Sequence, residues 1–130
     1  MKKTICAIAI LLAVLLTFGG CGGYASHYKA VGFVHSNETE SAFMSFYEFE
    51  GTMVFKLKNK DGGALEYSAK LGSGEAEISY DCGNGKTSLR PVKQGDELAG
   101  TTDPLPAGPV YIIVETAEKC GNGDFRFEID

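Results

Sequence analysis

Alternation of apolar and polar side chains with a period of two constrains the fold of this chain more than any other feature. The clearest segment spans residues 64–71, where the apolar positions are Leu65, Tyr67, Ala69 and Leu71. Polar side chains stand between them, and the segments 53–60, 75–82 and 125–129 repeat the pattern. Successive side chains of a β-strand point to opposite faces, so each segment is predicted to be a strand with one buried face.

Glycine-rich turns separate these segments at residues 61–63, 72–74 and 83–85, and Gly51 is expected to break or bulge the apolar strand before it. No stretch from residue 28 onwards shows a convincing helical period. We therefore predict an all-β fold, a single antiparallel β-sandwich of about seven or eight strands after a cleaved N-terminal signal peptide. A closed barrel of the same strands is the alternative.

The N-terminus has the order of an export signal. A basic head, Met1-Lys2-Lys3, precedes an uncharged apolar run over residues 4–18. That run of about 15 residues is shorter than the ~20 needed for a membrane-spanning helix. Small residues follow it, as at a signal-peptide cleavage site.

The residues Phe18, Gly19, Gly20 and Cys21 resemble the lipobox of bacterial lipoproteins. The resemblance implies a signal peptide over residues 1–20 and a Cys21 that carries fatty acids such as palmitate. It also implies a protein held at the cell membrane, facing outside the cytoplasm, with the bilayer as a partner through acylated Cys21. Residues 21–27 would be the lipidated cysteine and a short tether, and residues 28–130 the β-sandwich domain. The alternative is an uncleaved signal anchor with an ordinary thiol at Cys21.

The remaining cysteines of the exported part are Cys82 and Cys120, since Cys6 leaves with the signal peptide. An even pair in an oxidising compartment predicts a disulfide, which would contribute about 3–4 kcal/mol in the chain-entropy model. A metal site with His27 and His35 is the competing interpretation, but the two cysteines lack the CxxC spacing of zinc sites.

Charge narrows the range of partners. The full chain has 12 basic and 17 acidic side chains, and loss of Lys2 and Lys3 with the signal peptide leaves a net charge of −7. An acidic surface repels phosphate backbones, so we expect no nucleic-acid partner. It also implies that acyl chains, rather than a basic patch, hold the domain at the membrane.

Signals for catalysis are weak. His27 and His35 would lie ~26 Å apart in an extended strand, so they cannot act together, and no nucleophile–base pair stands out. The stretch 96–103 is a candidate calcium loop through Asp96, Glu97 and Asp103, because carboxylates in one loop can surround an ion. No cofactor is predicted.

The sequence thus predicts a membrane-anchored exported lipoprotein without enzymatic activity, a binding or accessory component of a cell-envelope assembly with an envelope protein as partner. The alternative is a ligand-capturing module for glycan or calcium. An exposed apolar patch on one sheet would favour the first function. A concave face with clustered tyrosines and carboxylates would favour the second.

Overall fold

A computed structural model describes residues 24–130. The predicted signal peptide and Cys21 lie outside the described residues. Within this part of the chain no helix is long and apolar enough to cross a membrane. The described residues form nine strands: β1 His27–Val31, β2 Val34–Asn37, β3 Ser41–Asn59, β4 Leu65–Ser73, β5 Glu75–Asp81, β6 Lys86–Ser88, β7 Val92–Lys93, β8 Glu97–Thr101 and β9 Gly108–Ile129.

Two long strands organise the fold. β3 and β9 pair antiparallel from Ser41 opposite Glu128 to Asn59 opposite Gly108. The N-terminal half of β3 and the C-terminal half of β9 lie between β2 and β4, and β8 pairs with β4. We call this set the first layer. The other halves lie between β1 and β5, and β6 and β7 pair with β5. We call this set the second layer.

β3 passes from one layer to the other at a point where its inward-facing positions switch from even to odd numbers, and we call this switch the change of frame. Its buried residues have even numbers up to Phe46 and odd numbers from Phe49 onwards. On β9 the register shifts between Thr116 and Cys120, beside the same point. At Gly51, φ is +126° and a Cβ atom would lie 2.7 Å from Cα of Tyr28, so only glycine fits there. Bulges of this kind bend the long strands from one layer into the other.

The two layers pack face to face around an aromatic core. Phe55 of the second layer lies against Phe127 of the first, with ring centroids 6.0 Å apart. The largest fully buried side chains are Phe49, Phe55, Phe125, Phe127, Met44, Leu57, Leu65, Ile78, Ile112, Ile113, Val92 and Val110. The predicted all-β fold, an antiparallel β-sandwich, is therefore confirmed. The strand count is higher than expected partly because Gly32, at φ +62°, separates β1 from β2.

Polar side chains complete the edges of the fold. The amide of Asn37 donates to the carbonyl of Lys56 at 2.9 Å and accepts from its N–H at 3.0 Å. Ser26 Oγ accepts a hydrogen bond from the N–H of Val54 at 2.8 Å. These side chains satisfy backbone groups on a stretch of β3 that β1 and β2 leave unpaired, which protects that edge.

Asn59 anchors the turn after β3. Its side chain is fully buried, its Nδ2 donates to the carbonyl of Gly63 at 2.9 Å, and its Oδ1 accepts from the N–H of Gly63 at 2.8 Å. Nδ2 also donates to the carbonyl of Leu105 at 3.2 Å. A buried amide with these partners joins the β3–β4 turn to the loop before β9.

Candidate functional site

A groove crosses the outer face of the first layer. Strand register places one side chain from each of five strands in a row, in the order Ser36, Phe43, Arg126, Ser68 and Ala99. Three of these side chains are small, so the backbone of the sheet forms much of the floor. The groove has a volume of about 720 Å³.

Hydroxyl and carboxylate groups occupy the next row on the same face. Ser41 lies opposite Glu128, Glu128 opposite Glu66, and Glu66 opposite Thr101. Glu38 also lines the groove. Three carboxylates therefore face one guanidinium, which gives the groove a negative balance of charge.

Arg126 lies over the ring of Phe43. Its Cζ is 5.4 Å from the ring centroid, in the geometry of a cation–π contact. Its Nε donates to Oδ1 of Asp124 at 3.1 Å. Among the described residues, no other side-chain hydrogen bond uses this guanidinium, so its remaining N–H groups are free to bind a ligand.

A second aromatic side chain lies further along β3 on the same outer face. Tyr47 is 61% exposed. It is four residues from Phe43, a separation of ~13 Å at the rise of a β-strand. An exposed ring of this size on a sheet surface is available for contact with a ligand or a partner.

The N-terminal segment packs on the outer face of the second layer. The hydroxyl of Tyr24 donates to Oδ2 of Asp81 at 2.6 Å, and its ring lies 5.9 Å from that of Tyr111. This hydrogen bond raises the pKa of Tyr24 to about 12 and lowers the pKa of the Asp81 carboxyl. Residues 24–27, expected to belong to a tether, thus contact the domain, and β1 begins at His27.

The candidate calcium ligands do not come together. Asp96 lies in the turn before β8, where its Oδ2 accepts from the N–H of Lys93 at 2.9 Å. Glu97 begins β8 and Asp103 follows its end, so about 16 Å of strand separates them. Nowhere in residues 24–130 do three or more histidine, cysteine or acidic side chains form a group that could hold a metal ion.

The predicted disulfide is absent, and both thiols are free. Sγ of Cys120 lies 3.2 Å from the carbonyl oxygen of Glu75, the first residue of β5. Cys82 follows Asp81, the last residue of β5. β5 is ~20 Å long, far beyond the ~7 Å between Cα atoms that a disulfide can span. Burial raises the pKa of both thiols, and the charge of Asp81 adds to the rise at Cys82.

The two histidines are also separate. His27 pairs with Thr52, and His35 pairs with Met44 eight residues earlier on β3. The imidazole of His35 stacks on Phe33 at 4.8 Å between ring centroids. The eight residues between their partners on β3 agree with the expected separation of the two histidines, and neither of them lines the groove.

Sequence reasoning missed the groove because its residues come from five strands. Phe43 lies in a segment that is apolar at nearly every position, and only the change of frame after Phe46 shows that its ring points outward. Arg126 stands between two inward phenylalanines, so its outward direction follows from alternation. Its position beside Phe43 depends on strand pairing.

No family model matches the chain, and no curated protein matches it in sequence. Solved structures that show remote similarity include the three that follow. A cupin-2 domain containing protein from Shewanella frigidimarina is 13% identical, with 73% of this chain and 76% of that chain covered and a TM-score of 0.35. Protein NMB1881 from Neisseria meningitidis is 12% identical, with 78% and 87% covered and a TM-score of 0.38. A mutant of CBM29-2, from family 29 of the carbohydrate binding modules, is 14% identical, with 82% and 79% covered and a TM-score of 0.40. Similarity this remote carries no argument about the function of this chain.

Proposed function

We propose that this protein is a lipid-anchored, exported binding domain without catalytic activity, and that its groove captures a neutral, hydroxyl-rich ligand such as a glycan. The observation that carries the proposal is the Phe43–Arg126 pair at the centre of a row of small side chains, beside a row of hydroxyls and carboxylates. The bilayer anchor is Cys21, supported by the lipobox resemblance of residues 18–21.

The chemistry of the groove suits a sugar better than other ligands. An aromatic ring offers an apolar face to C–H groups, carboxylates accept hydrogen bonds from hydroxyls, and a guanidinium donates to them. An anionic ligand would meet three carboxylates, Glu38, Glu66 and Glu128, against Arg126 alone. The volume of about 720 Å³ lies within the range of small-molecule sites.

Titration of neutral oligosaccharides by calorimetry tests the groove. Phe43→Ala removes the ring, and Glu66→Gln removes one charged acceptor. Glu77→Gln is the matched control, because Glu77 is an exposed strand residue on the second layer. We expect Phe43→Ala to weaken binding by about five- to tenfold, the effect of losing an aromatic contact of about 1 kcal/mol.

Two results would overturn the glycan proposal. One is the absence of binding across a panel of neutral oligosaccharides. The other is binding that Phe43→Ala and Glu66→Gln leave at the level of Glu77→Gln. The anchor is tested separately by metabolic labelling with a fatty-acid analogue, which we expect to enter the natural protein and not Cys21→Ala.

A second candidate function is the predicted accessory role in an envelope assembly, with a protein partner. The observation that favours it is a set of exposed apolar side chains on and beside the edge strands β1 and β2. Among residues 24–130 the exposed large apolar side chains are Tyr28 and Val31 of β1, Val34 of β2 and Tyr47 of β3, which lies beside Gly32. A photo-crosslinking residue at Val31 is expected to capture one defined envelope protein in cells, whereas one at Lys70 is not. Equal crosslinking at both positions would argue against this function.

A further inference from the structure

We infer that the outer face of the second layer is the membrane-facing surface of the domain, with Lys56 and Lys58 against acidic lipid headgroups and the groove turned away from the bilayer. This inference rests on the proposed acylation of Cys21, and it is independent of what the groove binds.

The contacts of the N-terminal segment fix where an anchor attaches. Tyr24 is held on the second layer by its hydrogen bond to Asp81 and its packing on Tyr111, and Ser26 is held at Val54. Cys21 is three residues before Tyr24, and three residues of chain span at most ~10 Å between Cα atoms. A tether that short keeps this side of the domain next to the bilayer.

Two lysines that have no acidic partner among the described residues lie where the N-terminal segment packs on the outer face of the second layer. Lys56 and Lys58 are exposed, and the Nζ of Lys56 is 5.8 Å from the ring centroid of Tyr111, the ring on which Tyr24 packs. Within the described part of the chain neither lysine forms an ion pair, whereas Lys86 of the same face pairs with Glu115 at 2.8 Å.

The acidic side chains of this face are either distant from the two lysines or already bonded to another side chain. Asp81 accepts the hydrogen bond from Tyr24, and Glu115 is occupied by Lys86. Glu77 lies opposite Glu115, and Glu115 lies opposite Thr52 of β3. Thr52 is four residues from Lys56, so this row of side chains is ~13 Å from the row of Lys56. The headgroups near the anchor therefore meet the lysines first.

The two outer faces of a sandwich point in opposite directions, so the groove faces away from the anchored side. Its charge agrees with that orientation, because Glu66 and Glu128 would be repelled by an anionic surface, whereas Lys56 and Lys58 are attracted to it. The expectation that no basic patch contributes to membrane contact thus does not extend to this local pair of lysines.

Lysine footprinting of the full acylated protein tests the orientation. The protein is acetylated in detergent and on vesicles that contain anionic phospholipid, and the rate at each lysine is measured by mass spectrometry. We expect the acetylation rates at Lys56 and Lys58 to fall about fivefold on the vesicles. An anionic surface stabilises each nearby lysine by about 1 kcal/mol, which corresponds to a factor of about five. Lys70, an exposed residue on the outer face of the first layer, is the internal control and should keep its rate.

Vesicles of zwitterionic lipid separate the tether from the charges. Protection of Lys56 and Lys58 should be weaker on them, and equal protection would overturn the headgroup contact. Unchanged rates at both lysines, or equal protection of Lys70, would overturn the orientation. The mass of the N-terminal peptide shows whether Cys21 is acylated. If the protein is acylated and the two lysines are unprotected, the orientation alone is refuted. If Cys21 is not acylated, both the lipid anchor and the orientation are refuted. Neither result bears on glycan binding.

Discussion

Gly123 offers the sharpest test of how β3 and β9 pack, because its missing side chain leaves room for an aromatic ring. Gly123 lies opposite Phe46, and a Cβ atom built on Gly123 would stand 2.7 Å from two carbons of the Phe46 ring. Phe46 is 4% exposed and packs on Phe49 at 5.2 Å and Phe125 at 6.0 Å between ring centroids. The ring has nowhere to move without disturbing this cluster, so Gly123→Ala should destabilise the domain.

The magnitude follows from two opposing terms. Forcing a methyl group into a packed core costs about 1–3 kcal/mol. Replacing glycine by alanine restricts the unfolded chain and returns about 0.4–1 kcal/mol, because Gly123 does not adopt a positive φ. The net expectation is a loss of about 1–2 kcal/mol, or roughly 4–15 °C in Tm for a domain of this size.

Urea denaturation followed by circular dichroism measures this loss, since the chain has no tryptophan to report unfolding by fluorescence. Phe46→Leu serves as the partner in a double-mutant cycle, because it makes space for the new methyl group. The double variant should be more stable than the sum of the single losses predicts, by about 0.5–2 kcal/mol. A neutral Gly123→Ala, or strictly additive losses, would show that Gly123 and Phe46 do not face each other.

Three further predictions follow from polar groups of the domain. Asn59→Ala should lower the free energy of unfolding by about 2–3 kcal/mol in the same assay, because it leaves buried backbone groups unpaired. A loss below about 0.5 kcal/mol, which is typical of surface sites, would contradict the buried hydrogen-bond network of Asn59. The pKa of Asp81 is lowered from 3.8 in the folded state, so its stabilisation is present above that value and is lost as pH falls through the lower folded pKa. Tyr24→Phe removes the main cause and should flatten that acid dependence in unfolding curves measured from neutral to acid pH; an unchanged acid limb would exclude the hydrogen bond. Without any reductant, Cys82 and Cys120 should both take up an alkylating reagent in denaturant, and Cys120 should react slowly in the native protein; recovery of a linked peptide pair by mass spectrometry would refute the free thiols.

The all-β character was predictable because it depends on a local rule. Alternation fixes which face of a strand is apolar, and segments such as 53–57 and 125–127 bury the side chains that alternation assigns to the core. Glycine-rich turns mark the strand ends for the same local reason. These features require no knowledge of which strands become neighbours.

The disulfide prediction was wrong because compartment and cysteine count say nothing about distance. Cys120 lies in β9 beside the first residue of β5 and Cys82 follows the last, so the length of β5 separates them. The calcium loop fails for the same reason, since five residues of the predicted loop form β8 and hold Glu97 and Asp103 apart. In both cases an extended strand separates residues that a compact loop would have brought together.

The sequence alone determined the strand content, the inward side chains of the regular strands and the motif at Cys21. The tertiary structure alone decided the change of frame in β3, the row that brings Phe43 beside Arg126, and the docking of Tyr24 on the second layer. The physical reason is that side-chain direction is a property of consecutive residues, whereas a groove or a docked segment is created by pairing between strands far apart in the chain. Register sets that pairing, and in this domain it depends on bulges and on glycines such as Gly51 and Gly123, whose role becomes visible only when their neighbours are in place.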